Sequence, residues 1–341
     1  NRLYLNDGTG RLTFRQGAFG SKRHDNEHAR AADFNGDGTM DVLFVVEDQE
    51  EHALFFGDGR GGFTDVSDRL PRGSQANGVT VGDVNGDGLP DIVVGVTSEG
   101  KSGQARTLLL LNNPQEPGFF IDASATHLPQ VDAQGQGVAL ADVNGDGLPD
   151  ILLACQEPPN RLFLNTGGGK FTDATERLGN QVPMETREVH VFDANGDGHP
   201  DIVFFNLTSN NKAWDKDPQT RIFINDGTGG FTDETETRLP AHRISRWGGT
   251  VNDFNNDGQP HLLVSAIEVP GFVPLQVRAW LNDGQGNFSD ATERVIPKET
   301  AGRSWGMAQG DLDGDGKPDV FIGAWGMQAR LLLTNTDQAK K

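Results

Sequence analysis

Six copies of one acidic nonapeptide constrain the fold of this 341-residue chain more than any other feature. They read DFNGDGTMD, DVNGDGLPD, DVNGDGLPD, DANGDGHPD, DFNNDGQPH and DLDGDGKPD, at residues 33–41, 83–91, 142–150, 193–201, 253–261 and 311–319. Each copy runs directly into an apolar segment such as IVVGV or VFIGA, and successive copies begin 50 to 60 residues apart. A period of this length indicates one repeat-built domain over residues 1–341.

A second recurring segment alternates with the nonapeptide and has the pattern of a β-hairpin. Its copies include NRLYLNDGTGRLTF at Asn1, NRLFLNTGGGKFTD at Asn160 and RIFINDGTGGFTD at Arg221. An apolar run, a glycine-rich turn and a second run led by Phe are typical of two strands joined tightly. With one strand before the nonapeptide and one after it, each unit has four strands. The pattern therefore predicts an all-β fold, a β-propeller of four-stranded antiparallel blades.

The number of blades depends on how the ends of the chain are counted. The sequence begins at the third strand of a unit, so residues 1–14 form a partial blade, and it ends after the third strand of another unit. We favour seven blades, which requires about 50 further residues upstream at this repeat length. The alternative is six blades, with the N-terminal hairpin closing the ring.

The nonapeptide places oxygen atoms at alternate positions, as a hard cation requires. In the second copy, Asp83, Asn85 and Asp87 can turn inward together, Leu89 can offer its main-chain carbonyl, and Asp91 can close the shell. Calcium takes roughly six to eight such oxygens. A metal-free turn explains one such loop, but it does not explain an acid at the ninth position in five of six copies. A strand follows where an EF-hand has a helix, so the loop is not an EF-hand.

We therefore predict five to six Ca²⁺ ions. The loop that begins at Asp253 should bind most weakly, because His261 replaces its final carboxylate and Asn255 and Asn256 dilute its charge. The predicted ligands are Asp33, Asn35, Asp37, Thr39, Asp41, Asp83, Asn85, Asp87, Leu89, Asp91, Asp142, Asn144, Asp146, Leu148, Asp150, Asp193, Asn195, Asp197, His199, Asp201, Asp253, Asn255, Asp257, Gln259, Asp311, Asp313, Asp315, Lys317 and Asp319.

These loops, each followed by a strand, resemble FG-GAP/VCBS repeats, as in the integrin α-subunit propeller. The NRLFLN and FTDAT hairpin segments are most similar to the bacterial and cartilage-acidic-protein branch of that group. The resemblance covers essentially the whole chain and implies a calcium-stabilised propeller that is exported: extracellular, on the cell surface or periplasmic. No copy has the full Phe-Gly and Gly-Ala-Pro frame, so the resemblance does not imply integrin-like ligand binding.

Charge and composition exclude several classes of function. The net charge of -20 at pH 7 and a pI of about 4.7 argue against binding to nucleic acid, which needs a basic surface. No apolar run approaches the roughly 20 residues that span a bilayer. The single cysteine, Cys155, follows an apolar strand, so we expect a buried, unreactive thiol.

A candidate ligand surface lies at the entry to the first strand of each unit. Because the innermost strands of a propeller surround its axis, residues at this position should converge on the face opposite the acidic loops. Two long connections between second and third strands, carrying Trp214 and Phe272, should open on the same face. The alternative is that Trp247 and Trp305 pack between blades. The candidate ligand-binding residues are Glu27, His28, Asn77, Gln136, Arg187, Arg246, Trp247, Arg303, Trp305 and Trp214.

Three classes of function fit this sequence. The first is a non-catalytic binding or adhesion module for a protein or glycan, which we favour because no nucleophile–base motif is present. The second is an enzyme acting on polysaccharide, a lyase or hydrolase, that would use the three arginines of the entry set with His28 or Glu27. The third is a structural subunit of a surface assembly, held together through exposed strand edges.

Overall fold

Short strands and tight turns alternate along the chain, and the last residue of each nonapeptide is the first residue of a strand. The computed structural model describes residues 1–22, 25–47, 51–72, 74–97, 105–209, 212–268 and 273–334. The strands are β1 Leu3–Asn6, β2 Leu12–Arg15, β3 Asn26–Ala32, β4 Asp41–Val46, β5 Ala53–Gly57, β6 Phe63–Asp65, β7 Ala76–Gly82, β8 Asp91–Val96, β9 Leu108–Asn112, β10 Phe120–Asp122, β11 Gly135–Ala141, β12 Asp150–Cys155, β13 Arg161–Asn165, β14 Phe171–Asp173, β15 Glu185–Phe192, β16 Asp201–Leu207, β17 Arg221–Asn225, β18 Phe231–Asp233, β19 Gly249–Asn252, β20 His261–Val264, β21 Ile267–Glu268, β22 Val273–Pro274, β23 Arg278–Asn282, β24 Phe288–Asp290, β25 Ser304–Gly310, β26 Asp319–Ala324 and β27 Arg330–Leu332.

Each nonapeptide connects the first and second strands of one sheet, and the hairpin segment supplies the third and fourth. The order within each sheet is sequential and the pairing is antiparallel, as in β11-β12-β13-β14. This confirms the predicted β-propeller of four-stranded blades, and there are six blades, as in the alternative count. The favoured count of seven is not what the described residues build. Strands β1 and β2 form a separate two-stranded sheet, and the last blade has three strands in the described part of the chain.

The second strand of each blade is its most buried element. Every residue of β8, β12 and β16 is buried, whereas the short fourth strands are largely exposed after their first residue, Phe. A continuous apolar run is buried on both faces of its sheet. The apolar segment after each nonapeptide therefore forms the buried centre of its blade.

The molecule divides into two compact units, each described by itself. The first contains the blades β3–β6, β7–β10 and β11–β14, and its innermost strand β7 contacts both β3 and β11. The second contains the blades that begin at β15, β19 and β25, and its innermost strand β19 contacts both β15 and β25. The small β21-β22 pair is an addition to the blade of β19.

One asparagine contact repeats between neighbouring blades. At the end of a third strand, an asparagine Nδ2 donates to the main-chain carbonyl of the second residue in the preceding blade's nonapeptide. The pairs are Asn112 to Phe34, Asn165 to Val84, Asn225 to Val143, and Asn282 to Ala194. Asn6 of the N-terminal hairpin donates in the same way to Leu312, at 2.7 Å. The turn of this hairpin therefore docks on the sixth loop as the next blade's third strand would.

Helices are minor elements. They are single turns after the fourth strands, at Ser124–His127, Thr235–Arg238 and Thr292–Val295, with 3-10 turns at Ser67–Arg69, Thr175–Leu178 and Lys298–Thr300. None of the helices in the described part of the chain is long and apolar enough to cross a bilayer.

Candidate functional site

The first aspartate of each loop accepts hydrogen bonds from the loop's own main chain. In the second loop, Asp83 Oδ1 accepts from the N–H groups of Gly86, at 2.7 Å, and Asp87, at 3.2 Å, and Oδ2 accepts from Gly88, at 2.8 Å. Gly86 and Gly88 have φ angles of 81° and 86°, a left-handed conformation that glycine adopts without steric cost. The carboxylate is therefore partly compensated by N–H groups, and the loop does not depend on an ion alone to fold.

The ninth aspartate connects its loop to the third strand of the same blade. Asp91 is fully buried; its Oδ2 accepts the N–H of Val84, at 3.0 Å, and its Oδ1 accepts the N–H of Asn112, at 2.9 Å. Asp41, Asp201 and Asp319 make the same pair of bonds, and Asp150 accepts from Asn165. This main-chain role was not predicted from the sequence, where the residue was interpreted only as a metal ligand.

The electrostatics of the loops fit a hard cation. Burial is the main cause that raises the pKa of Asp91 to about 6; the carboxylates of Asp87 and Asp83 act in the same direction, and the two N–H donors act against it. Burial likewise raises the pKa of Asp201 to about 6. In the sixth loop, carboxylate oxygens of Asp311, Asp313 and Asp315 all lie within 4.8 Å of one another. Grouped carboxylate oxygens form a donor set that suits Ca²⁺.

Side chains at the seventh position distinguish the loops. The sequence predicted only a main-chain carbonyl ligand from Lys317, but its Nζ lies 3.0 Å from Asp315 Oδ2. An ammonium group on a candidate ligand competes with a cation for that oxygen. His199, at the same position of the fourth loop, has an exposed side chain, and its main-chain N–H donates to Asp197 Oδ1 as the seventh residue of the other loops does.

The fifth loop is different in kind. His261 is fully buried at the ninth position, and its Nδ1 accepts the N–H of Asn282 at 3.0 Å. Its Nε2 lies 3.5 Å from Asp257 Oδ1. Asp253, Asp257 and His261 each place a ligand atom within 4.8 Å of the others. Asn256 has a φ of 58°, in the left-handed region that glycine occupies at this position of the other loops.

The strand-entry residues of the first unit occupy β-bulges. The pairing of first and second strands skips one residue in each blade, at Glu27, Asn77 and Gln136. Asn77 donates to Glu47 Oε1 at 2.7 Å, and Gln136 donates to Gln156 Oε1 at 2.7 Å. A β-bulge changes the direction in which its extra side chain points. Because Asn77 and Gln136 are buried in these bonds, they offer little surface to a ligand.

Acidic groups surround Glu27. Its carboxylate, with those of Asp25 and Glu47, forms a group whose oxygens lie within 4.8 Å of one another. Glu27 and His28 are both half-buried. The predicted site residues of this unit are therefore polar and acidic, with no aromatic member among them.

The entry residues of the second unit form an aromatic cluster. The indole rings of Trp247 and Trp305 stack with centroids 3.4 Å apart and an interplanar angle of 27°. The Trp325 ring lies on Trp305 in a tilted arrangement, with centroids 5.9 Å apart and an interplanar angle of 38°. The Arg187 guanidinium lies 4.8 Å from the Trp247 ring centroid, and that of Arg303 lies 5.6 Å from the Trp325 centroid. We call these five residues the tryptophan–arginine cluster.

Two positions in this cluster are also sites of a β-bulge. The pairing of β15 with β16 skips Arg187, and that of β25 with β26 skips Trp305 and Gly306. Arg187 is held by the buried carboxylate of Glu185. Trp325, which is 46% exposed, was not predicted from the sequence, because it follows a second strand and not a first one.

The other candidate ligand residues lie elsewhere. Arg246 is 0% exposed, with its guanidinium 6.0 Å from the Trp280 ring, and burial lowers its pKa to about 9. It therefore contributes no surface to a ligand, contrary to its place in the predicted set. Trp214 is half-buried in the connection after β16, and Phe272 lies outside the described residues. Cys155 is buried as predicted, and burial raises the pKa of its thiol to about 12.

A cleft of about 180 Å³ lies beside His52 in the first blade. Lys22, Arg72 and Asp68 are among the residues that line it, and none of the predicted ligand residues does so. His52 itself is buried; its Nδ1 accepts the Val46 N–H, and its Nε2 lies 2.7 Å from Ser74 Oγ. These bonds make the histidine part of the structure of the blade.

Acid is expected to destabilise the protein through His52. Burial lowers its pKa from 6.5 to about 4, so the folded state prefers the neutral ring. The stabilisation is present above pH 6.5 and is lost as the pH falls from about 6.5 to about 4, by on the order of 3 kcal/mol. Urea unfolding of calcium-loaded protein at pH 7 and pH 5 should show about 2 kcal/mol of this loss, and His52→Gln should reduce the difference. His127→Gln, which changes a partly exposed histidine, should leave it unaltered; an equal response of both variants contradicts the assignment.

Comparison with known proteins defines the class. The FG-GAP-like repeat family matches residues 1–44, 43–94, 142–204 and 273–322, more than half of the chain. The chain therefore belongs to the FG-GAP-like repeat family, as the six loops and four-stranded blades indicated.

The relatives found by sequence similarity align with this chain over less than a third of their own length. Over 191 residues the chain is 33% identical to cartilage acidic protein 1 of Xenopus tropicalis, an alignment that covers 54% of this chain and 28% of that protein. It is 26% identical over 260 residues to integrin alpha pat-2 of Caenorhabditis briggsae, covering 74% of this chain and 18% of the relative. The fold is similar to that of an Agrocybe aegerita lectin described as recognising non-reducing terminal N-acetylglucosamine, with a TM-score of 0.56, 16% identity and coverage of 98% of this chain and 88% of that one.

Proposed function

We propose that this protein is an exported, calcium-stabilised propeller that acts as a non-catalytic binding module for a protein or glycan. The observation that carries this proposal is the tryptophan–arginine cluster. It presents partly exposed indole rings beside guanidinium groups, on residues at or near the start of the first strands of three blades and, for Trp325, just after a second strand.

The oxygen-rich loops support the calcium part of the proposal. Their first, third, fifth and ninth side chains and seventh main-chain carbonyl are the groups that would hold the ion. When bound, it would neutralise carboxylates whose pKa values are raised in its absence. Export is supported by relatives that are extracellular or cell-surface proteins.

The chemistry of the cluster supports a glycan or protein ligand. Indole rings offer large, rigid apolar surfaces, and arginines supply several hydrogen-bond donors in a fixed arrangement. Tryptophan and arginine together are the residues most enriched at binding hot spots. The lectin of similar fold makes amino sugars one ligand class to test, although the fold alone does not transfer its specificity.

A glycan array on calcium-loaded protein tests the proposal. Binding to a defined set of glycans is expected, and Trp325→Ala should weaken it by about tenfold or more, as loss of a hot-spot residue does. Phe321→Ala is the matched control, because Phe321 is 38% exposed on β26 of the same blade but is not in the cluster. Equal binding by both variants, or no ligand on the array and none among extracellular proteins, would refute the cluster as the binding site.

A structural role in a surface assembly is the second candidate, favoured by the N-terminal hairpin. In the described part of the chain, β1 and β2 pair only with each other. The rings of Tyr4 and Phe14 lie 5.6 Å apart and are 45% and 49% exposed. An open edge beside exposed aromatic residues can pair with another chain. Sedimentation of wild-type protein and of Tyr4→Ser/Phe14→Ser tests this: a concentration-dependent oligomer lost in the double variant supports the assembly.

A further inference from the structure

We infer that His261 makes the fifth loop independent of divalent cations, because its imidazole N–H group compensates the loop carboxylates as a calcium ion would in the other loops. This role of His261 rests on the proposed calcium binding of the other loops, and it makes one residue responsible for keeping the ion out of the fifth loop. The evidence is the hydrogen bond that Nδ1 accepts and the location of Nε2.

The first step is that His261 replaces the ninth aspartate in its main-chain role. In the fourth loop, Asp201 Oδ1 accepts the N–H of Asn225, the last residue of the third strand, at 2.8 Å. In the fifth loop, His261 Nδ1 accepts the N–H of Asn282, again the last residue of the third strand, at 3.0 Å. Both side chains are fully buried at the first position of the second strand. The histidine therefore keeps the loop connected to its blade.

The second step is that this bond fixes the tautomer. A main-chain N–H can only donate, so Nδ1 must present its lone pair to Asn282. A neutral imidazole carries its one proton on the other nitrogen, and a doubly protonated ring has no acceptor at all. The proton of His261 is therefore on Nε2.

The third step concerns the surroundings of the Nε2 proton. Nε2 is buried, makes no hydrogen bond of accepted geometry to any residue that the structure describes, and lies 3.5 Å from Asp257 Oδ1. Ligand atoms of Asp253, Asp257 and His261 lie within 4.8 Å of one another. The Nε2 proton is thus buried beside the carboxylate of Asp257, on the residue that takes the place of Asp201 in the fourth loop.

The same geometry argues against a transition metal. A metal ion binds the lone pair of an imidazole nitrogen, and its other nitrogen then normally donates a hydrogen bond. Binding at Nε2 would move the proton to Nδ1, where it would face the Asn282 N–H. The fifth loop also has two carboxylates, at Asp253 and Asp257, where the fourth loop has three. Fewer negative charges and a fixed donor both disfavour a cation.

Counting bound calcium in reciprocal variants tests the inference. By isothermal titration calorimetry and equilibrium dialysis at pH 7.5 (about one unit above the pKa of free histidine), His261→Asp should bind one more Ca²⁺ per chain than wild type. Asp201→His, which transfers the histidine to the fourth loop, should bind one fewer. Ser289→Asp is the matched control, because it adds the same charge on the exposed outer strand β24 of the blade that contains His261, outside every acidic loop; its stoichiometry should equal that of wild type.

Several outcomes would overturn the inference. Equal stoichiometry in wild type and His261→Asp would do so, as would one Zn²⁺ bound by wild type and lost in His261→Asn. If His261→Asp does not fold, as judged by circular dichroism, the decision rests on Asp201→His: loss of one site supports the exclusion, and an unchanged count contradicts it. Failure of wild type to bind any Ca²⁺ is a different result, because it refutes the proposed calcium binding itself.

Discussion

Removal of calcium is expected to lower the melting temperature by at least about 10 °C. Each loop that binds an ion in the folded state stabilises it by roughly 2.7 kcal/mol when free calcium is a hundredfold above Kd, and several such loops act together. For a domain of this size, each kcal/mol corresponds to a shift of a few degrees. Thermal unfolding by circular dichroism, with calcium and then with excess EDTA, measures the effect.

Two controls distinguish specific binding of calcium from a general effect of ionic strength. Re-addition of Ca²⁺ should restore the melting temperature, whereas the same concentration of Mg²⁺ should restore less, since Mg²⁺ demands a tighter octahedral shell. A melting temperature that does not move with EDTA contradicts calcium stabilisation in the six loops.

Asp91→Ala is expected to destabilise the protein by about 4 kcal/mol, and to do so with or without calcium. The buried carboxylate accepts N–H groups from Val84 and Asn112, and its removal leaves both main-chain donors buried without an acceptor. Each such loss costs roughly 1–3 kcal/mol. Urea unfolding in calcium and in EDTA measures the change in the free energy of unfolding.

Asp87→Ala is the matched control for the second loop. Asp87 is exposed and is a predicted ion ligand, but it makes no bond to the third strand. It should destabilise the protein in calcium and much less in EDTA. If both variants lose stability only in calcium, the ninth aspartate acts through the ion alone and its main-chain role is unimportant.

The repeat could be predicted from sequence because its chemistry recurs in every blade. Acidic loop, buried strand and hairpin were each identifiable from residue type and spacing, and the four-stranded blades followed. The blade count was harder: whether Asn1 to Phe14 belong to a blade depends on pairing partners, and the structure gives this hairpin its own sheet. The main-chain role of Asp91 could not be predicted from the sequence, because an aspartate at this position can equally be a metal ligand or an acceptor for main-chain N–H groups.

The candidate ligand site was predicted only in part. Trp247 and Trp305 do come together, but the depth of a side chain is not visible in the spacing, so Arg246 was included although it is fully buried. Trp325 was missed because it follows a second strand, whereas the predicted aromatic residues were taken from the entries to first strands and from a long connection. The tautomer of His261 depends on a main-chain N–H contributed 21 positions further along the chain.

The β-bulges of the innermost strands have a consequence for how such a chain can diversify. At each bulge in the described part of the chain a residue leaves the strand register, together with Gly306 in the last case; the residues are Glu27, Asn77, Gln136, Arg187 and Trp305. Acid, amide, cation and indole thus occupy equivalent positions in blades of one architecture. Within each repeat, the loop and buried-strand residues recur because the fold needs them, whereas the residue at the bulge differs from blade to blade. Side chains at the bulges can therefore differ between blades while the acidic loops and the buried strands stay the same.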